Sequence, residues 1–261
     1  MKNKIVWITG ASSGIGEAIT YKMNKLGAKL IISSRNREAL YTVKTNCKSN
    51  PMDIHVHPLD LEDTISLPEA AASALKIYGR IDYIIHSGGV SQRSLALDTD
   101  IKVAQRIMDI NFWGSVALTQ AILPDMLSKQ SGHIVIISSL VGKFGTKYRS
   151  AYSASKHALH GYFDSLRSEI DPKIKISIIC PGFIKTNVSY NALTADGSKQ
   201  YTMDDAQANG MPAEECAEQV IKALKAGKEE VYIGGKEKYG VLIKRLFPGL
   251  FSKYIRKAKV T

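Results

Sequence analysis

At 261 residues and 44% hydrophobic, the chain is long enough to bury the core of one α/β domain, and no apolar run approaches the roughly 20 residues that would span a bilayer. The formal net charge of +11 is unevenly placed: residues 236–261 hold eight Lys or Arg against one acid, leaving little net charge on the rest. A basic tail on an ordinary body is not a nucleic-acid-binding module, so no nucleic-acid partner is expected.

The three cysteines, Cys47, Cys180 and Cys216, are far apart and odd in number. They fit reduced core thiols rather than disulfides, and no metal site is expected. An apolar strand begins almost at Met1, which leaves no room for a leader peptide ahead of it, so a cytoplasmic protein is expected.

The apolar run at 5–8 reads as a short buried strand. Thr9-Gly-Ala-Ser-Ser-Gly-Ile-Gly16 follows, and residues 17–26 then carry apolar side chains at helical spacing, closed by Gly27. Strand, glycine turn and helix together are the setting of a phosphate-binding turn. Gly10 permits the tight bend, Gly14 lets backbone approach a pyrophosphate, and Gly16 lets the helix pack close to the strand. Ser12, Ser13 and Ile15 lie at the start of the helix, whose N–H groups and dipole favour an anion. The spacing is G-x-x-x-G-x-G rather than G-x-G-x-x-G, and alone it would also suit a purely structural turn.

A second strand at 28–33 ends at Ser34-Arg35, and Asn36 caps a helix running to about residue 47. A third strand at 54–57 leads to Asp60-Leu61. An alanine-rich helix covers 68–78, and a buried fourth strand at 81–86 is broken by Gly88-Gly89. Two helical stretches are predicted at 100–113 and 115–129, a fifth strand at 133–137, a long helix at 151–170, and a sixth strand at 175–180 stopped by Pro181-Gly182. Residues 183–211 are polar and contain glycine and serine, which predicts a long mobile loop acting as a substrate lid. A helix at 212–226, with Pro212 in its first turn, and a last strand at 230–233 complete the body. Continuous apolar strands alternating with helices predict a doubly wound, Rossmann-type parallel sheet of seven strands in one domain over 1–235.

The extension at 236–261 places Ile243, Leu246, Phe247, Leu250, Phe251 and Tyr254 at helical spacing among Lys244, Arg245, Lys253, Arg256 and Lys257. Pro248 must interrupt any single helix, so two short segments are expected. A basic amphipathic pair of this kind fits an anionic membrane surface, and it fits equally well packing onto the body or a second subunit.

Tyr152 and Lys156 stand four apart at the start of the long helix and so share a face. A phenol ordinarily titrates near 10; a neighbouring ammonium favours its phenolate and should lower that value. Ser139 ends the fifth strand at the same edge of the sheet, where its hydroxyl can meet a substrate oxygen or cap a turn. Asn111, between the two helical stretches, reads by itself as a turn or capping residue.

In combination, Thr9–Gly16, Asp60, Asn111, Ser139, Tyr152-x-x-x-Lys156 and Pro181-Gly182 with Thr186 resemble the short-chain dehydrogenase/reductase family over nearly the whole chain. The resemblance implies that Tyr152 is the general acid/base, that Lys156 lowers its pKa and holds the nicotinamide ribose, that Ser139 positions the substrate oxygen, and that Asn111 holds a water in a proton relay. It also implies that Asp60 and Leu61 meet the adenine, that Pro181, Gly182 and Thr186 meet the nicotinamide side, and that the chain forms a homodimer or homotetramer through its long helices. Where the family usually has Asn-Asn-Ala-Gly, this chain has His86-Ser87-Gly88-Gly89; Gly89 keeps the close backbone approach, while the first asparagine's hydrogen bonds must be replaced. The runs Ser91-Gln-Arg93-Ser94 and Ser139-Leu-Val-Gly142 resemble the branch of membrane-associated steroid, retinoid and xenobiotic carbonyl reductases, without their N-terminal membrane helix.

At the end of the second strand an acid would select NAD and an arginine accommodates the 2′-phosphate of NADP. Ser34 stands at the acid's position, followed by Arg35, with Arg37 close by, so NADP(H) is expected over NAD. The expected function is therefore NADP-dependent interconversion of a carbonyl and an alcohol on a lipophilic small molecule. The alternatives are a non-catalytic dinucleotide-binding regulator and a membrane-surface lipid binder.

Overall fold

The computed structural model describes residues 1–258; the last three residues of the basic extension lie outside it. Period-two alternation sorts every central strand between two cores. Strand β1 (Ile5–Thr9) sends Trp7 to one face and Val6 and Ile8 to the other, all fully buried. Strands β2 (Lys29–Ser33), β4 (Tyr83–His86), β5 (Gly132–Ile137) and β6 (Ile174–Pro181) repeat the pattern. A sheet apolar on both faces must be covered on both.

Helices α1 (Gly14–Lys25), α2 (Arg37–Asn46) and α8 (Ala213–Lys225) cover one face. Helices α3 (Leu67–Tyr78), α5 (Gly114–Ser128) and α6 (Ser150–Glu169) cover the other. With β3 (Ile54–Val56) and β9 (Glu230–Ile233), the seven parallel strands take the order β3-β2-β1-β4-β5-β6-β9. The order reverses between β1 and β4, which is where such sheets open a crevice at their carboxyl ends. The register aligns that rim: Thr9 pairs with Ser33 and His86, His86 with Ile136, and Pro181 with Ile233.

Three expectations change. The predicted break near residue 114 is absent: α4 (Ile101–Met108) runs into α5 through a π-helical turn, Asp109–Trp113, so Asn111 lies inside a helix and caps nothing. Gly114, which reads as a breaker, is instead required by packing, because a Cβ there would stand 2.9 Å from that of Leu61. Pro212 precedes α8 as its N-cap rather than entering its first turn. Finally, 183–211 is not a featureless loop. It carries β7 (Ile184–Lys185) paired with β8 (Met211–Pro212), the short helix α7 (Asp205–Ala208), and buried Ser189, Ala192, Leu193, Asp204 and Gln207. Apart from Ile184 and Leu193 its anchors are small or polar, so no apolar periodicity announces them.

The extension forms α9 (Tyr239–Leu246) and α10 (Pro248–Lys257), divided at Pro248. Phe251 is buried against Phe144, with ring centres 5.1 Å apart. Leu242, Leu246, Phe247, Leu250 and Tyr254 stay exposed.

All three cysteines are free and buried. Three histidines are also interior, His86, His133 and His160. His86 Nε2 bonds Thr119 Oγ1 at 3.0 Å, and His133 bonds Ser177 Oγ at 2.8 Å. Burial pushes His86 from 6.5 to about 3 and His133 to about 4, the latter aided by Lys175. Below pH 6.5 the unfolded chain therefore takes up protons that the folded chain refuses, and stability is lost as pH falls from 6.5 toward about 4. Thermal unfolding between pH 7 and 4.5 should show this fall, and His86→Asn should make it shallower by up to about 1.4 kcal/mol per pH unit within that window; an unchanged slope would mean that other groups control acid stability.

Candidate active site

The turn after β1 holds two glycines with left-handed backbone, Gly10 at φ 65° and Gly14 at φ 59°. A Cβ on Gly10 would stand 2.6 Å from Gly88 Cα, so the turns after β1 and β4 touch backbone to backbone. Gly16 lies beneath: its Cβ would come 2.8 Å from the Gly10 carbonyl carbon. Ser13 is the N-cap of α1 but makes no capping bond with its side chain, which leaves the helix N-terminus available to an anion.

Above these turns lies a cleft of about 1030 Å³. Its walls include Gly10, Ser12, Ser13, Gly14 and Ile15 at the glycine turn, Arg35, Asp60 and Leu61 at one end, and Gly88 and Gly89 from the turn after β4. Ser139, Tyr152 and Lys156 face it in the middle, with Pro181, Gly182 and Thr186 beside them. A glycine cradle, an uncapped helix end and a cleft of this length fit a dinucleotide. Gly16 and Asn111 are not in the wall: one braces the turn, and the other braces the loop after β4. Asn111 Oδ1 accepts from Val90 N at 2.8 Å, while its Nδ2 donates to Val90 O at 2.9 Å and Ser155 Oγ at 3.0 Å. A Cβ on Gly89 would lie between Asn111 Oδ1 at 3.0 Å and Lys156 Nζ at 3.6 Å. Arg37 is also outside the wall, stacked over Tyr41 at 5.6 Å.

Ser139 caps the turn Leu140–Gly142 by accepting from Val141 N at 3.3 Å, and its hydroxyl lies 3.3 Å from Pro181 O and within bonding reach of the Tyr152 phenol. Lys156 Nζ stands 5.8 Å from the centre of the Tyr152 ring, on the shared face. It donates to Ile137 O at 2.9 Å, and burial pulls it from 10.5 to about 8. The charges that act on the phenol are different from those the sequence implied. Burial is the largest influence on Tyr152 and raises it above 10, and the lowering expected from Lys156 is not among the opposing influences. Arg149, the Ser139 hydrogen bond and Arg93 pull the other way.

Those two arginines belong to a cluster that sequence reading missed. Arg93 and Arg149 converge on Asp204 Oδ2, Arg93 through Nε at 2.8 Å and through Nη2, Arg149 through Nη2 at 3.3 Å. The three side chains are 3–6% exposed. Gln92 is a second omission. Arg149 is the N-cap of α6 but does not cap it with its side chain; Gln92 Oε1 accepts from Ala151 N at 2.8 Å and Tyr152 N at 3.3 Å instead. The partners are 55 to 111 residues apart in the chain, so no local spacing exposes them.

The extension closes the other end of the cleft with Ile243, Leu250, Phe251 and Tyr254. Glu237, its one acid, accepts from Gly235 N at 3.0 Å and Phe183 N at 3.3 Å, and a Cβ on Gly182 would come 2.8 Å from Glu237 Cγ. The tail is thus clipped to the Pro181-Gly182 turn.

Comparison with known proteins agrees with this geometry. The family model described as short chain dehydrogenase matches residues 4–196. Dehydrogenase/reductase SDR family member 7B of Danio rerio is 40% identical over 259 residues, covering 96% of this chain and 84% of that protein. Dehydrogenase/reductase SDR family member 7 of Homo sapiens is 38% identical over 239 residues, covering 89% and 70%. Among solved structures, a short-chain dehydrogenase from Streptomyces avermitilis superposes with a TM-score of 0.82 at 26% identity, covering 98% of this chain and 96% of that one. The fold is shared with a Burkholderia phymatum short-chain dehydrogenase/reductase in complex with NAD, at TM-score 0.85 and 20% identity over 95% of each chain. With its glycine cradle, its seven-stranded sheet and its serine, tyrosine and lysine on one cleft wall, the chain belongs to the short-chain dehydrogenase/reductase family of nicotinamide-dinucleotide oxidoreductases.

Proposed function

We propose that the protein interconverts a carbonyl and an alcohol on a lipophilic small molecule with NADP(H), using Tyr152 as general acid/base. The observation that carries this reading is that Ser139, Tyr152 and Lys156 face one cleft whose floor is the glycine turn. Bound NADP(H) would supply or accept the hydride. The Tyr152 phenol gives its proton to the substrate oxygen in reduction and takes it back in oxidation. Ser139 holds that oxygen by its hydroxyl. Lys156 is read as the cation that holds the nicotinamide ribose. Asn111, whose amide oxygen lies close to Gly89 as the ammonium does, is read as the relay residue. Gly10, Ser12, Ser13, Gly14, Ile15, Gly88 and Gly89 would surround the phosphates, Asp60 and Leu61 the adenine, and Pro181, Gly182 and Thr186 the nicotinamide.

The lipophilic substrate is supported by the apolar far end of the cleft, where Phe144, Leu250 and Phe251 meet. NADP(H) over NAD is supported by Ser34, which stands at the end of β2 where an acid would select NAD, and by Arg35 next to it, both in the cleft wall. A cytoplasmic location is supported by three free, buried thiols. Assembly as a dimer or tetramer through α5 and α6 follows the family, and would cover the half-exposed Trp113. The exposed apolar face of α9 and α10, ringed by Lys and Arg, is read as a peripheral contact with anionic membrane, next to the end of the cleft that would admit the substrate.

Tyr152→Phe should lower turnover by about 100-fold or more while cofactor binding, read by NADPH fluorescence, is retained; turnover near wild type would remove the acid/base assignment. Arg35→Ser should raise the KM for NADPH by about tenfold and leave that for NADH unchanged, and a wild-type preference for NADH would remove the Arg35 argument. The protein should co-sediment with anionic vesicles but not with zwitterionic ones, and Leu246→Glu with Phe247→Glu should release it; vesicle binding unaffected by those changes would discard the membrane contact.

A further inference from the structure

We propose that Gln92 is a positioning residue for the reaction: its side-chain amide caps the helix that carries Tyr152 and registers the phenol to the loop bordering the glycine floor. The inference rests on the reading of Tyr152 as the group that moves the proton. It gives a part in turnover to a side chain that stands outside the cleft wall.

A helix leaves the amides of its first turn without partners, and an N-cap side chain ordinarily takes up those of the second and third residues. In α6 these are Ala151 and Tyr152, and the N-cap residue, Arg149, makes no such bond with its side chain. Gln92 Oε1 accepts from both, at 2.8 Å from Ala151 N and 3.3 Å from Tyr152 N. The cap therefore comes from the loop after β4 and not from the chain that enters the helix. Gln92 is fully buried, so water does not compete for its oxygen.

The other end of the amide fixes its orientation. Gln92 Nε2 faces three hydroxyls, Thr99 Oγ1 at 2.9 Å, Ser94 Oγ at 3.1 Å and Ser150 Oγ at 3.2 Å. A flipped amide would set its own donors against the two backbone N–H groups, so the partners admit one orientation. The hydroxyls are themselves held: Ser94 and Thr99 bond each other at 2.7 Å, and Thr99 Oγ1 donates to Leu95 O at 2.7 Å.

The main chain of the same loop is anchored on both sides of Gln92. Leu193 N donates to Ser91 O at 2.9 Å and Arg93 N donates to Leu193 O at 2.8 Å, which joins the loop to the 183–211 segment. Two residues earlier, Val90 is held by both ends of the Asn111 amide. Asn111 Nδ2 also donates to Ser155 Oγ, whose hydroxyl donates to Tyr152 O at 2.8 Å. Tyr152 is thus gripped by both of its backbone groups, the N–H through Gln92 and the C=O through Ser155 and Asn111. Both grips lead back to residues 90–92, directly after the Gly88 that touches Gly10 and the Gly89 that lines the cleft. This ring of bonds sets how far the phenol stands from the cradle that would hold the dinucleotide. Proton transfer needs that separation kept, since a displacement of about 1 Å can cost on the order of 100-fold in rate.

Gln92→Met keeps the bulk and removes the acceptor. It should lower kcat by about tenfold or more, while the Kd for NADPH, read by fluorescence, is unchanged. Gln92→Glu keeps an oxygen for the two amides while Ser94 and Ser150 turn their hydroxyls to donate, and it should restore most of kcat. Amide hydrogen exchange gives a readout that needs no turnover, in protein labelled with nitrogen-15 at tyrosine, with Tyr152→Phe identifying the signal among the twelve. In Gln92→Met the Tyr152 amide should exchange about tenfold faster, while that of Tyr162, farther along α6, keeps its rate. Asp100→Ala removes the cap that accepts from Lys102 N at 2.8 Å in α4, and it should cost stability without lowering kcat. An unchanged kcat in Gln92→Met, or a loss that Gln92→Glu fails to restore, overturns the proposal. So does equal acceleration of the Tyr152 and Tyr162 amides, or an equal loss of kcat in Asp100→Ala, because either is what general destabilisation produces. Should Gln92→Met not fold, Thr99→Val removes one partner of Nε2 and is expected to lower kcat by a smaller factor; unchanged kcat there overturns the proposal as well. A wild type that turns over no carbonyl would defeat the functional reading, and the exchange rates alone would then decide whether Gln92 holds Tyr152.

Discussion

The site depends on two backbones being allowed to touch. Gly10 and Gly88 follow β1 and β4, the neighbours at which strand order reverses, and a side chain on Gly10 would collide with Gly88 Cα. Beyond that contact the chain departs to opposite sides of the sheet, into α1 on one face and toward α4 and α5 on the other. The crevice is what remains between them. Its floor is main chain, and Gly16 extends the same economy of space one layer down, letting α1 start directly against the Gly10 carbonyl. A dinucleotide site of this kind is made by leaving side chains out, and the two left-handed glycines make that omission conformationally cheap.

What was legible in the sequence was legible because it is local. Each buried strand is a short apolar run, the glycine turn stands between a strand and a helix, and Tyr152 and Lys156 sit one helical turn apart, so neighbours along the chain are enough to find them. Pro248 divided the tail for the same reason, since the missing N–H is a property of one residue. What was illegible is non-local or built from weakly hydrophobic parts. Gln92 serves as the cap of a helix that begins 58 residues later, a role that the run Ser91–Ser94, noted for its resemblance, does not reveal by itself. The continuity of α4 into α5 was hidden because Gly114 reads as a breaker until Leu61 is seen pressed against it. In 183–211 the buried residues include Ser189, Asp204 and Gln207, whose burial is explained only by the partners they find in space.

The extension shows how far a composition argument carries. Basic and apolar residues in alternation pointed equally to a surface or to packing, and among its described residues the fold packs the segment through Phe251, the one that is buried. The clip through Glu237 explains how so exposed a segment keeps its place: two backbone amides hold the carboxylate at the Pro181-Gly182 turn, and Lys244 Nζ reaches Lys143 O at 3.1 Å from the other side. The wall it provides is apolar on the inside, while Leu242, Leu246 and Phe247 face outward. One element therefore borders both the cleft and the surroundings, and a change on its outer face is mechanically close to the end of the cleft where a substrate would lie.

The electrostatics of the phenol are set by two large effects of opposite sign. Burial raises Tyr152, because an interior solvates phenolate poorly, and it is also what makes nearby charges effective, since the same low dielectric strengthens every interaction with them. A buried lysine is a weak instrument for this purpose here, as burial draws Lys156 itself down to about 8 and so brings its own neutral form within reach. A guanidinium resists that loss: burial lowers Arg149 only to about 10. Buried ion clusters give little net stability compared with well-packed apolar side chains, so a cluster of two arginines and one aspartate beside the phenol is poorly explained by folding alone. Its geometry accounts for position instead: one carboxylate of the 183–211 segment joins Arg93, on the loop after β4, to Arg149, at the N-terminus of the helix that carries Tyr152.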